Sequence, residues 1–191
     1  MIYAPITELE AVNDMLRTIG EQPVSTLVTS GLSEATIAYD VLQTVSREVQ
    51  SRGLHCNSEE HYPLTKDADG YINIPANALK VDGFYTYDDV VMRGTRLYDR
   101  YNHTFVFTED KEVNIVFFLP FTDLPQTARQ YIYIKAARRL QAQLIGSATL
   151  DGFTKEDEQK AWVALFEEEF MTADAFITDT YETYKIVSRR I

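Results

Sequence analysis

The spacing of apolar residues changes twice along this chain, and these changes constrain the fold more than any other feature. Residues 8–50 place apolar side chains three and four positions apart, as amphipathic helices do. Residues 54–121 instead show a period of two, which indicates strands. The helical spacing returns after residue 122. We therefore predict an α+β fold, mainly an α-helical bundle with a small antiparallel β-sheet insertion.

The first predicted helix runs from about Thr7 to Ile19. Thr7 and Glu10 have the spacing of a capping box, in which the hydroxyl accepts an early amide and the carboxylate reaches back. Gly20 is the expected left-handed stop, and Pro23 makes the residue before it extended. The apolar stripe of this helix consists of Leu9, Val12, Leu16 and Ile19.

The second predicted helix runs from about Ser33 to Gln50. Ser33 is the expected N-cap, Gly53 ends the segment, and Arg47 and Arg52 lie near the negative end of the helix. Its apolar stripe consists of Ile37, Ala38, Val41, Leu42, Val45 and Val49.

The period-two region predicts a largely antiparallel sheet. The predicted strands are residues 71–75, 90–93, 96–98, 104–107 and 113–119.

Two further helices are predicted after the sheet. Pro125 suits a first helical turn, with Thr122 or Asp123 as the cap, and Gly146 ends this third helix. Thr154 is the expected cap of a fourth helix. Its inward-facing side chains are predicted to be Trp162, Leu165 and Phe166.

These elements predict a single protomer in three parts. Residues 1–53 and 122–175 form the helical bundle, residues 54–121 form the β-rich insertion, and residues 176–191 form a C-terminal arm.

The chain is acidic, with a formal net charge of -11 and a pI near 4.7. Such a surface repels phosphate backbones, which argues against static nucleic-acid binding. An acidic wall would still let DNA slide past, and solubility alone also accounts for the charge. Cys56 has no partner cysteine, so we expect no internal disulfide and folding in a reducing cytoplasm. We expect neither a secretory signal nor membrane insertion.

Three N-terminal segments carry a resemblance to a known family. They are residues 11–14 (Ala-Val-Asn-Asp), 19–27 (Ile-Gly-Glu-Gln-Pro-Val-Ser-Thr-Leu) and 50–53 (Gln-Ser-Arg-Gly). They resemble the signature of phage tail tubular protein A, the head–tail adaptor or gatekeeper family of podophages. Leu54 stands where that family usually has Trp. Sparser matches follow at residues 97–100, 113–116, 124–125 and 136–138.

The resemblance implies a structural virion protein of the tail, assembled in the host cytoplasm. Members of the family would form a ring, twelvefold, beneath the portal protein. They would carry the tail nozzle (tail tubular protein B) and a tail fibre or tailspike. The ring would gate packaged DNA and conduct it during ejection. We expect no cofactor and no metal.

The residues expected to contact partners are exposed or charged. Asn13 and Asp14 are predicted on the exposed flank of the first helix, and Arg52 at the end of the second. The arm is basic, and its cations would pair with acidic surface on the portal or on an adjacent copy. These cations are Lys185, Arg189 and Arg190.

Two alternatives remain open at this stage. One is a tail-associated glycoside hydrolase, because such enzymes use paired carboxyls and tyrosines lie near one acidic pair. Its candidate catalytic residues are Glu59, Glu60, Asp88 and Asp89. The other is an assembly factor that leaves before the virion matures. The adaptor hypothesis itself needs no catalytic residue.

Overall fold

The computed structural model describes residues 4–27, 33–85, 88–146 and 148–172. The helices are α1 Glu8–Thr18, α2 Glu34–Gln50, α3 Gln126–Leu144 and α4 Ala148–Thr172. The strands are β1 Ser58–Leu64, β2 Ala78–Gly83, β3 Val90–Arg93, β4 Arg96–Asp99 and β5 Lys111–Phe117. All five strands lie between α2 and α3, and the mixed α+β class is confirmed.

Local capping chemistry sets the ends of α1 and α2 as predicted. The hydroxyl of Thr7 accepts a hydrogen bond from the amide of Glu10 at 3.2 Å, and the Glu10 carboxylate accepts one from the Thr7 amide at 2.8 Å. The Ser33 hydroxyl accepts the amide of Thr36 at 3.2 Å. Gly20 has a φ of +83°, a conformation that glycine adopts without steric cost.

The five strands form one antiparallel sheet in the order β1-β5-β2-β3-β4. The sequence pattern predicts β3, β4 and β5 but misses β1 and β2. A bulge between Glu59 and Tyr62, with His61 at a φ of +54°, breaks the alternation of β1. A second irregularity, between Ala78 and Lys80, breaks that of β2. A strand whose pairing register shifts partway loses the strict alternation of apolar and polar residues, so the alternation does not reveal it.

Two predicted strands are wrong. Residues 71–75 and 104–107 form only isolated bridges, such as that between Tyr71 and Val106. The alternation of apolar and polar residues in these segments still has a structural cause, because one side of each segment packs into the core of the sheet. The buried side chains are Ile72, Ile74 and Phe107.

The beginnings of α3 and α4 also differ from the prediction. Pro125 is itself the N-cap residue of α3 and makes no side-chain cap. Because a proline holds the preceding residue extended, the helix cannot reach back to Thr122 or Asp123. Those two residues lie in a short 3-10 turn instead. The fourth helix begins at Ala148, so Thr154 lies inside it.

The helices and the sheet bury separate cores that meet at Leu119, which packs against both. In the helical core α1, α2 and α3 pack together, whereas α4 packs chiefly against α3. The predicted single four-helix bundle is therefore not confirmed. The most deeply buried residues of the helical core include Met15, Leu42, Ile132 and Leu140.

Candidate docking surfaces

Asn13 holds the loop that follows α1. Its amide nitrogen Nδ2 donates to the carbonyl of Val24 at 3.0 Å, and its Oδ1 accepts the amide of Val24 at 2.7 Å. The side chain is half-buried, so the prediction of an exposed flank is wrong for Asn13. A side chain that satisfies both polar groups of one peptide residue orders the backbone, because those groups otherwise need water.

Asp14 lies between two grooves on the outer side of α1. Its side chain is 38% exposed and forms an ion pair with Arg17 on the next turn. The N-terminal groove, of about 650 Å³, is formed by the N-terminal segment, α1 and the start of α3. A second groove, of about 540 Å³, lies between α1 and α4 with α3 beneath it, and is named here the α1–α4 groove.

The α1–α4 groove combines an apolar floor with carboxylates at its edge. The floor comes from α3 and α4 and consists of Tyr133, Ile134, Ala137, Ala161 and Ala164. Asp14 and Asp157 contribute carboxylates from opposite sides. Lys160 also lines the groove, but its Nζ is 2.9 Å from a carboxylate oxygen of Glu156. Such a groove suits an apolar side chain with a cation beside it.

The burial and the negative charge of this groove affect the pKa of one of its tyrosines. Burial raises the pKa of Tyr133 above its ordinary value, and the nearby carboxylates of Asp14 and Asp157 raise it further. The phenol is therefore neutral at physiological pH and acts as an apolar wall with one hydroxyl.

Arg52 lies on the other side of α4. Its guanidinium carbon is 5.1 Å from the centre of the Trp162 ring, a cation–π contact. The ring of Trp162 also packs against that of Tyr131, with centroids 5.2 Å apart. These residues line a groove of about 390 Å³, named here the Arg52 groove, together with Arg138, Lys155, Glu158 and Gln159. Arg138 and Glu158 pair at 2.9 Å, which leaves Arg52 and Lys155 to give the groove its positive character.

The positive charge of Arg52 also affects the pKa of a neighbouring lysine. Burial lowers the pKa of Lys135, and the charge of Arg52 lowers it further, whereas Glu48 and Glu158 oppose this. The two grooves that flank α4 therefore carry opposite charge: the α1–α4 groove is negative and the Arg52 groove is positive.

The predicted basic residues of the arm lie outside the described residues. Lys185, Arg189 and Arg190 follow the last residue of α4 by 13 to 18 positions. Their predicted role in docking stays a prediction.

The acidic residues of the hydrolase alternative do not form one site. Glu59 and Glu60 are exposed on β1, whereas Asp88 and Asp89 lie next to β3. Strands β5 and β2 separate β1 from β3, which places the two pairs about 14 Å apart at the usual strand spacing. Paired glycosidase carboxyls lie within about 10 Å of each other.

Each carboxylate of the Asp88–Asp89 pair has its own cation. A carboxylate oxygen of Asp88 is 2.8 Å from Nζ of Lys111, and one of Asp89 is 3.2 Å from Arg100. Asp88 is also little exposed, at 10% of its side chain. These partners account for both acids as structural ion pairs.

The described residues offer little other chemistry. They contain no cluster of three or more histidine, cysteine or acidic side chains arranged to hold a metal ion. Partial burial, with the charge of Glu169 nearby, raises the pKa of Cys56 to about 11, so its thiol is protonated at neutral pH. No helix in the described part of the chain is long and apolar enough to span a membrane.

Sequence reasoning missed the outer face of α4. Phe166 was predicted to face inward with Trp162 and Leu165, but its side chain is 57% exposed. Val163 and Phe170 are 47% and 52% exposed. The available signal was the spacing of these three residues at i, i+3 and i+7, on a helix whose inward face is separately apolar.

Comparison with known proteins agrees with the resemblance seen in the sequence. Residues 9–175 match the family described as Tail tubular protein. The chain is also 33% identical over 125 residues to Tail tubular protein A of Klebsiella phage KP34. That alignment covers 65% of this chain and 66% of the relative, slightly less than two thirds of its length. The chain therefore belongs to the tail tubular protein family, and it is a structural component of a phage tail.

Proposed function

We propose that this chain forms the ring-shaped adaptor that joins the portal protein to the tail nozzle. The observation that carries the proposal is family membership across residues 9–175. The docking surfaces support it, because two grooves and an exposed apolar stripe on one helix are what a protein with several partners needs.

The parts of the protomer then have separate tasks. Residues 1–53 and 122–175 form the wall between neighbouring subunits, and residues 54–121 and the arm 176–191 contact neighbours or the portal. Asp14 and Arg52 act at the edges of their grooves, and the arm acts through Lys185, Arg189 and Arg190. Asn13 acts indirectly, by holding the loop at Val24.

The proposed ring is twelvefold and assembles in the host cytoplasm. Its lumen holds back the packaged DNA and later conducts it, and its rim carries a tail fibre or tailspike. The net charge of -11 supports a conducting role, because acidic walls do not retain a polyanion.

Mixing the purified chain with portal rings and with nozzle protein tests this function. Sedimentation should give a particle larger than the portal alone, and adding nozzle protein should enlarge it again. Arg52→Glu should weaken association at least tenfold if its groove receives a partner, whereas Glu109→Lys, a charge reversal in an exposed loop outside the grooves, should weaken it less. Failure to bind either ring or nozzle at any salt concentration would overturn the proposal. Absence from purified virions would favour the assembly-factor alternative.

A further inference from the structure

The fourth helix has two apolar faces, and the described residues cover only one of them. Ala161 and Leu165 face α3 and are 6% and 1% exposed. Val163, Phe166 and Phe170 form an exposed stripe, named here the α4 ridge. A helix that is apolar on two sides is normally covered on both. The ridge therefore indicates a contact that the described part of the protomer does not make.

The α1–α4 groove lies on a different side of the same helix. Ala164 lines the groove and Phe166 belongs to the ridge. Two residues correspond to about 200° of rotation around an α-helix, so these side chains point to nearly opposite sides. One copy of the chain can thus offer its ridge to one neighbour and its groove to another.

Ridge and groove are complementary in shape and in polarity. The ridge consists of two phenylalanines and a valine exposed on the outside of a helix, whereas the groove is concave and its floor is lined by Tyr133, Ile134, Ala137 and Ala164. The ring centroid of Phe166 is 6.4 Å from that of Trp162, so the ridge continues into the cation–π contact of Arg52.

The charges beside the two surfaces also match. Arg52 and Lys155 lie beside the ridge in the Arg52 groove, and Asp14 and Asp157 lie at the edge of the α1–α4 groove. Opposite charges across an interface fix its register and disfavour contacts of the ridge with a second ridge.

We propose that the α4 ridge of one copy enters the α1–α4 groove of the next copy. Lys155 and Arg52 then face Asp157 and Asp14 of the neighbour. The contact joins two different surfaces, so it repeats from copy to copy and closes when the rotation per copy completes a circle. The inference deepens the proposed ring and rests on it for closure, but the pairwise contact can be measured without the portal.

Cysteine cross-linking tests the contact directly. In the 191-residue chain with Cys56→Ser, the double variant Ala164→Cys/Phe166→Cys places its thiols on nearly opposite sides of one helix, where they cannot join each other. Oxidation should therefore give a ladder of dimers, trimers and higher species on a non-reducing gel. Each single variant should give no ladder, because a groove cysteine meets a ridge position. The samples are oxidised both free and bound to portal rings.

Charge reversal gives an independent test at exposed positions, where folding is not disturbed. Lys155→Glu and Asp157→Lys should each weaken self-association at least tenfold, measured by sedimentation. A mixture of the two variants should regain it, because each reversed ridge then meets a reversed groove. The double variant should regain it alone. Glu109→Lys, a charge reversal at an exposed position outside the ridge and the groove, should weaken self-association less than either variant does.

The outcomes separate this contact from the adaptor function. The inference is overturned if no ladder forms with or without portal rings, if a single variant alone forms the ladder, or if mixing the reversed chains restores nothing. The last result would also be expected if the groove were occupied by residues 173–191 of the same chain. Portal binding by chains that give no ladder would overturn this contact and leave the adaptor function standing. A ladder without portal binding would support this contact and overturn the adaptor function.

Discussion

The side-chain amide of Gln50 hydrogen-bonds to both backbone groups of Leu119, as a peptide group of a neighbouring strand would. Its Oε1 accepts the amide of Leu119 at 2.8 Å, and its Nε2 donates to the carbonyl of Leu119 at 3.0 Å. Asn57 extends this junction by donating to the carbonyls of Gln50 at 3.1 Å and Phe117 at 2.6 Å. The end of α2 is thereby fastened to the chain as it leaves the sheet. Gln50, from the family-like segment 50–53, and Asn57 thus join the two cores.

Gln50→Leu should destabilise the fold strongly. The substitution keeps the approximate volume but leaves the amide and carbonyl of Leu119 without these partners, at a cost of about 2 to 4 kcal/mol in the free energy of unfolding. Urea denaturation measures it. Gln43→Leu is the matched control, because Gln43 bonds to side chains, those of Glu8 and Tyr39, and leaves no buried backbone group without a partner; it should cost less than about 1 kcal/mol. Equal effects of the two substitutions would contradict this account of the junction.

The capping box of α1 should give stability that depends on pH. Hydrogen bonds from the backbone and then the side chain of Thr7 lower the pKa of Glu10 below its ordinary value of 4.5. A lowered folded-state pKa stabilises the fold above the unfolded pKa, and this contribution is lost as the pH falls through the folded pKa. Glu10→Gln should therefore unfold more easily than the natural chain near neutral pH but not in strong acid.

Unfolding midpoints measured across the acid range test this sign. Thr7→Ala provides the control, since it removes the Thr7 hydroxyl, the second of the two groups that lower the pKa of Glu10, and keeps the backbone amide. In that background the effect of Glu10→Gln near neutral pH should shrink but not vanish, because the backbone amide of Thr7 still donates to Glu10. A difference between the natural chain and Glu10→Gln that stays constant down to strong acid would show that the pKa of Glu10 is not lowered.

Two glycines with the same backbone conformation should respond differently to alanine. Gly20 and Gly70 have φ values of +83° and +84°, so both alanines pay the left-handed strain of about 1 kcal/mol. A Cβ at Gly20 meets nothing within 4 Å, whereas one at Gly70 would lie 2.8 Å from Val106 and 3.1 Å from the carbonyl oxygen of Phe107. Gly70→Ala should therefore cost about 2 to 4 kcal/mol. Equal unfolding midpoints would mean that the segment containing Val106 can move aside.

Asn13→Leu should loosen the loop after α1. Both bonds to Val24 are lost, and the expected cost is about 1 to 3 kcal/mol. Hydrogen exchange at the amide of Val24 should accelerate, while exchange in the middle of α2 changes only through global stability. Ser25→Ala, in the same loop, controls for the substitution. Unchanged exchange at Val24 would assign the order of this loop to other contacts.

The ends of α1 and α2 could be predicted because caps and left-handed glycines act within a few residues. Thr7, Ser33 and Gly20 carry their signals locally. Strands β1 and β2 could not be predicted in this way. The bulge at His61 shifts the alternation of β1, and its pairing with β5 involves residues about fifty positions away. Register of that kind depends on tertiary contacts that a local period does not contain.

In the candidate docking surfaces, too, some residues could be identified from the sequence and others only from the packing of the helices. Asp14 and Arg52 could be named from the sequence as candidate contact residues, because they lie in family-like segments, on the flank of the first helix and at the end of the second. Asp157 and Val163 were not, since their significance depends on how α4 lies against α1 and α3. Phe166 shows the reason most plainly. An apolar residue beside Leu165 is expected in the core, and only the packing of the helix reveals that it faces outward.

Imaging the product formed with portal rings is the most direct test of the central claim. The account predicts a second ring, stacked on the portal and built from twelve copies, with α4 at the boundary between neighbours. Portal rings that carry no added density after incubation across a range of salt concentrations would contradict it.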